Sequence, residues 1–172
     1  MRSEPSWIID TAAEAGVIIA TAESLTGGAL VSRLVDVPGA SSSIAGGAVC
    51  YSARTKTAVL GVDAAALERD GAVTERVARE MAEGALRLYD ADLAVSTTGV
   101  AGPGPDHRGI PAGTVHLALA RAVGGTITRE LRVDGDREQV RSASVDAALE
   151  LLRSALEELG DGRAQRPPTH RP

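Results

Sequence analysis

Val17-Ile18-Ile19-Ala20-Thr21-Ala22-Glu23-Ser24-Leu25-Thr26-Gly27-Gly28 decides how the rest of the chain is read. Its apolar opening predicts a buried strand over 17–22. A helix follows over 29–36, with Leu30, Val31, Leu34 and Val35 on one face. A serine and two threonines therefore fall at a strand-to-helix turn, with two glycines entering the helix. The first amides of a helix lack intrahelical partners and face whatever lies above the strand end. This stretch is the best place in the chain for an anion or an oxyanion.

Working outward, the pattern alternates. A helix is predicted over 6–15 and a strand over 44–52, weakened by Gly46-Gly47, where a bulge or a close approach is expected. Short helices follow over 54–60 and 63–69. Thr74 caps a helix to 89 whose stripe is Val77, Ala78, Met81, Ala82, Ala85 and Leu88. A strand over 93–97 runs into a Gly- and Pro-rich loop reaching about residue 112. Strands over 113–122 and 126–133 suit an antiparallel hairpin. Asp136 caps the last helix, with Gln139 placed for a capping box. Together these predict an α/β domain over 1–159. It has three α/β/α layers around a mixed, mainly parallel sheet with one antiparallel hairpin. Residues 160–172 read as a disordered tail.

Composition narrows the function. Net charge is −5 with no basic block, which argues against nucleic acid as a partner. No apolar run is long enough to span a bilayer, and no signal-peptide pattern opens the chain, so a cytoplasmic, membrane-free protein is expected. One cysteine, Cys50, excludes an intrachain disulfide. No His and carboxylate cluster has metal-ligand spacing, so neither a metal nor another cofactor is expected. The core contains no Phe and has to close on Ala, Val, Leu and Ile.

Of 18 basic residues, 17 are Arg and one is Lys56. Arginine cannot give up its proton, whereas a buried lysine can. Three small, polar segments end predicted strands: 21–28, 50–56 and 97–105. Open α/β sheets gather ligands at such ends. If the three converge, Ser24 gains a base in Lys56, thirty-two positions on, and Tyr51 can orient the lysine or relay a proton. Burial, the neighbouring helix start and Arg54 would each hold the amine neutral. The amides around Gly27 and Gly28 would then bind the oxyanion. Against this stand plainer readings. Ser24 or Thr26 is a helix cap, Glu23 a structural partner for a backbone amide, and Tyr51 an ordinary strand aromatic. Asp134-Gly135-Asp136-Arg137 reads as a turn and cap rather than a site.

The motifs 21–28 (TAESLTGG), 51–56 (YSARTK), 60–62 (LGV), 71–75 (GAVTE), 98–103 (TGVAGP), 111–115 (PAGTV) and 135–141 (GDRxxVR) run in order across about residues 7–159. In this they closely resemble the CinA C-terminal domain family, which includes PncC-type nicotinamide-nucleotide amidohydrolases. The resemblance implies an α/β/α fold and an amidohydrolase with a Ser–Lys pair. Ser24 would be the nucleophile, Lys56 the base and Tyr51 their assistant. The substrate would be nicotinamide mononucleotide (NMN), converted with water to nicotinate mononucleotide and ammonia. Thr26, Gly27 and Gly28 would serve the oxyanion or substrate. Thr98, Gly99, Ala101 and Gly102 would lie against the ribose phosphate, with Thr114 beside them. A homo-oligomer, dimer or higher, is expected. The alternatives are a non-catalytic nucleotide-binding or competence-associated module on the same fold, and a hydrolase of another small amide.

Overall fold

The computed structural model describes residues 4–164. Its elements run α1 (Glu4–Ala15), β1 (Ile19–Glu23), α2 (Ala29–Val35), a 3-10 turn (Ala40–Ser42), β2 (Ile44–Val49) and α3 (Ala53–Leu60). Then come α4 (Ala64–Asp70), α5 (Glu75–Leu88), β3 (Leu93–Gly99), β4 (Thr114–Arg121), β5 (Gly125–Arg132) and α6 (Arg137–Ala164). The expected elements are present, with shifted ends. β1 starts two residues later than its apolar run because Val17 closes α1, donating its N–H to Ala12 O at 2.9 Å. α6 continues past the expected end at residue 159, to Ala164. The rest of the predicted tail, 165–172, lies outside the described residues.

The five strands form one sheet in the order β2-β1-β3-β4-β5. β1 pairs in parallel with β2 and with β3, whereas β3–β4 and β4–β5 are antiparallel. The expectation of a mainly parallel sheet is thus corrected to an even split. The reason is the connection between β3 and β4: a parallel neighbour needs a crossover, usually a helix, and 100–113 contains none.

The two faces of the sheet differ in side-chain size. Ile19, Leu93, Val95, Val115, Leu117 and Leu119 pack in the cluster that holds the buried residues of α1, α2 and α6. The other face is alanine: Ala20, Ala22 and Ala94 pack with Val77, Met81 and Ala85 of α5, and Ala118 and Ala120 with Ala78 and Ala82. Small residues let α5 lie close on that face, which is how a core without Phe can close. Gly47 shows the same logic on β2. A Cβ there would sit 2.4 Å from Thr21 Oγ1 and 3.0 Å from Val31 Cβ, so the glycine admits α2 rather than a ligand. The strand also carries the expected irregularity, a register shift opposite Ile19/Ala20.

Because β1, β2 and β3 are parallel, their carboxyl ends meet. Glu23 lies opposite Val49 on one side and Thr97 on the other. The ladder continues one step further, with Ser24 N–H donating to Thr97 O and Cys50 N–H to Glu23 O. The three polar segments picked out in the sequence therefore converge at one end of the sheet.

Candidate active site

Lys56 Nζ lies 2.8 Å from Ser24 Oγ and donates to Cys50 O at 2.7 Å. Both side chains are enclosed: Lys56 is 1% exposed and Ser24 8%. The lysine is placed by the start of α3. Ser52 caps that helix in a reciprocal box with Thr55, which fixes the first turn and points Lys56 inward. Desolvation lowers the Lys56 pKa to about 8, partly offset by the Cys50 thiol; Arg54, expected to contribute, is not among the causes. The same burial pushes the Cys50 thiol up. At pH 7 a pKa near 8 leaves roughly a tenth of the amine neutral, about 300-fold more than an unperturbed lysine. The pair can therefore do what nucleophilic catalysis needs: a hydroxyl held against a base that is partly free of its proton.

Glu23 explains why the Ser24 hydroxyl is available. Its carboxylate is fully buried and accepts from the N–H groups of Gly28, Leu30 and Val31, at 2.9, 3.1 and 2.8 Å. It also accepts from Thr26 Oγ1 at 2.8 Å and Thr21 Oγ1 at 3.2 Å. The cap of α2 is thus Glu23, acting from the end of β1, and Gly28 at the N-cap position makes no side-chain cap bond. Of the open alternatives, the structural one holds for Glu23, and capping is removed from Ser24.

This arrangement corrects the expected oxyanion donors. Gly28 N–H is taken by Glu23, and Gly27 N–H by Ser24 O at 3.2 Å. With φ of +63° and +95° the two glycines form the turn instead. The Thr26 hydroxyl is also engaged, between Glu23 and Thr97 Oγ1. Among the described residues, the turn amides without an acceptor are those of Leu25 and Thr26.

At the same end of the sheet, the loop after β3 forms a cavity of about 220 Å³, lined by Gly99, Ala101, Gly102, Val73, Tyr51 and Arg137 among others, with neither Ser24 nor Lys56 in its wall. Tyr51 is 63% exposed, and its hydroxyl accepts from Arg137 Nη2 at 3.0 Å. No hydrogen bond joins it to Ser24 or Lys56, so its expected place as assistant to the dyad is corrected to the cavity wall. Thr98 Oγ1 donates to Ala72 O at 2.7 Å, and Thr114 Oγ1 accepts from Arg132. Both are buried, and neither lines the cavity. Gly99, Ala101 and Gly102 do line it.

Arg137 and Arg141 were missed as site residues. Asp136 does cap α6 in a reciprocal bond with Gln139, as predicted. The next residue, however, reaches the cavity, where Arg137 Nη1 donates to Gly102 O at 2.8 Å. One turn on, Arg141 donates to Leu25 O and Thr26 O at 3.0 and 2.8 Å. The usable signal was their i,i+4 spacing, which puts both on one helix face.

A family model for the CinA C-terminal domain matches residues 3–156. The chain belongs to that family. It is 48% identical to a CinA-like protein of Mycobacterium sp. (strain MCS) over 91% of this chain, and 46% identical to one of Frankia casuarinae over 80%. Those matches cover 38% and 31% of the relatives, so the chain spans about a third of their length. Among solved structures it is similar to the competence/damage inducible protein CihA of Agrobacterium tumefaciens, with TM-score 0.84, 36% identity and coverage of 91% and 98% of the two chains. A CinA superfamily protein of Klebsiella pneumoniae matches at TM-score 0.86, 34% identity and coverage of 90% and 96%. The expected family and its α/β fold are thereby borne out. Among the described residues, no helix is long and apolar enough to cross a membrane.

Proposed function

We propose that this domain is a Ser–Lys amidohydrolase that hydrolyses the carboxamide of NMN to nicotinate mononucleotide and ammonia. The observation that carries the hydrolase reading is the buried 2.8 Å contact between Lys56 Nζ and Ser24 Oγ, with the amine's pKa lowered to about 8. NMN as the substrate rests on the family resemblance.

In this reading Ser24 Oγ attacks the amide carbon as neutral Lys56 takes its proton, giving a tetrahedral intermediate. Collapse breaks the C–N bond, and Lys56 returns the proton to the departing nitrogen, which leaves as ammonia. A water molecule, deprotonated by Lys56, then attacks the acyl-serine ester, and the carboxylate product departs as Ser24 regains its proton. Arg137 and the backbone of Gly99, Ala101 and Gly102 form the end that holds the nucleotide's phosphate, where a planar guanidinium suits bidentate contact. No metal or other cofactor takes part in the scheme. The expected partner is the small nucleotide, with neither nucleic acid nor membrane, and the domain works as a homo-oligomer in the cytoplasm.

The test is ammonia release from NMN by purified protein, with Ser24→Ala alongside. Release by the wild type and none by the variant is expected. Tight NMN binding without release, unchanged in Ser24→Ala, would favour the non-catalytic binding module. Release from other small amides but not from NMN would keep the hydrolase and replace the substrate.

A further inference from the structure

We infer that Arg141 is a positioning residue for the oxyanion hole, and that the hole consists of the N–H groups of Leu25 and Thr26. This rests on the hydrolase reading above. A trans peptide is planar, and its C=O and N–H point in opposite directions. Arg141 Nε donates to Leu25 O at 3.0 Å. That bond fixes the Leu25–Thr26 peptide plane and turns Thr26 N–H to the opposite side. Ser24 O accepts from Gly27 N–H, which does the same for Leu25 N–H. The second arm of the Arg141 fork, Nη2, holds Thr26 O at 2.8 Å and so pins the following peptide as well.

The rest of the turn is already committed. Glu23 takes the amides of Gly28, Leu30 and Val31. Leu25 and Thr26 keep theirs free, immediately after the nucleophile and in buried surroundings where an unmet donor is costly. An acceptor that exists only during the reaction would satisfy both donors. Arg141 has no carboxylate partner among the described residues, so its charge is directed at these two carbonyls. A cation on a peptide oxygen also polarises the amide and strengthens its N–H as a donor.

The experiment compares wild type, Arg141→Gln, Arg141→Lys and Arg33→Gln. Arg33 is the control because its 3.0 Å pair with Asp146 also ties α2 to α6, without touching the turn. Two rates are read: NMN hydrolysis, split into kcat and KM, and labelling of Ser24 by a fluorophosphonate, whose phosphoryl oxygen needs the same donors. Arg141→Gln is expected to lose roughly tenfold to a hundredfold in both kcat and labelling, somewhat less than deletion of an oxyanion donor. KM and the pH midpoint should stay put, since Arg141 is not among the causes of the Lys56 shift. Arg141→Lys recovers part of the loss, and Arg33→Gln behaves as wild type. If Arg141→Gln does not fold, the Lys variant carries the test, and wild-type rates in it overturn the inference. So do Arg141→Gln labelling at the wild-type rate, a loss confined to KM, an equal loss in Arg33→Gln, or a wild type that resists labelling at Ser24. A wild type that labels at Ser24 but releases no ammonia from NMN ends the substrate reading alone, and the labelling rates still decide on Arg141.

Discussion

The two ends of the site are built on opposite plans. At the dyad end, Glu23, Ser24, Thr26 and Lys56 are buried and tied to one another and to the starts of α2 and α3. At the cavity end, Tyr51 and Arg137 lie at the surface, over a loop rich in glycine and proline. The dyad end is part of the core: its groups are fixed when the chain folds, which is the preorganisation that electrostatic catalysis requires. The cavity end is a surface that a ligand can still order. Substitutions at the first should therefore act on kcat and on stability, and those at the second on KM.

The largest break in that contrast is Lys56→Arg. It keeps a cation beside Ser24 but cannot accept a proton, so a loss of about a thousandfold or more in kcat is expected. Activity within tenfold of wild type, measured as ammonia release, would end the Ser–Lys mechanism. Glu23→Gln comes next. It replaces an acceptor of five donors with a group that is half donor, setting an NH₂ against backbone N–H groups. A stability loss of about 3 kcal/mol is expected from urea unfolding, because bonds to a charged acceptor and unmet buried amides are both involved. A change under 0.5 kcal/mol would show that the α2 cap matters little.

The dyad was legible in the sequence for a compositional reason. In a chain with 17 arginines, one lysine at a strand end has a chemistry the others lack. The convergence of strand ends followed from the βα alternation. The role of Glu23 was left open because nothing local shows that the last side chain of a strand folds forward over the next helix. Gly28 looked like a free donor for that same reason, and Gly27 because the turn bond from its N–H to Ser24 O has no signature in the pattern. Arg137 and Arg141 meet their partners 86 and 116 positions away in sequence, a distance at which pattern carries no information on contact. The antiparallel seat of β4 was readable from the missing crossover helix, a clue that the run of helices and strands before it obscured.

The pH response separates the two ends further. Below a pKa of about 8 the base is protonated, so kcat/KM should fall about tenfold per unit on going to lower pH and level off above 8. A profile flat from pH 6 to 9 would show that Lys56 is not the base. Stability has its own sign. The unfolded chain keeps the lysine proton up to the reference value of 10.5, while the folded chain releases it near 8. The unfolded state therefore binds more protons between those values. The burial penalty, fully present below 8, is relieved as pH rises through that window by at most roughly 3 kcal/mol. Urea midpoints for wild type and Lys56→Met at pH 7 and 9.5 check this, with the Lys56 part of the slope absent from the variant.

At the cavity end, Arg137→Gln should raise KM for NMN about tenfold, as expected for loss of one charge-assisted contact, with kcat within twofold. An equal KM for NMN and for its phosphate-free riboside in the wild type would remove the phosphate from that end.

The smallest effect expected is that of Tyr51→Phe, and it is the most discriminating. If Tyr51 relayed protons for the dyad, losing its hydroxyl would lower kcat and alter the pH profile. The geometry places the hydroxyl elsewhere, since it accepts from Arg137 and makes no bond to Lys56 or Ser24. Its loss removes one exposed hydrogen bond, about 0.5–1.5 kcal/mol, from a guanidinium that keeps its second tether on Gly102 O. KM should therefore rise about threefold, with kcat and the midpoint near 8 unchanged. A hundredfold fall in kcat would instead mean that the ring swings onto the dyad when substrate binds. The boundary between the buried and the open end would then run on the far side of Tyr51.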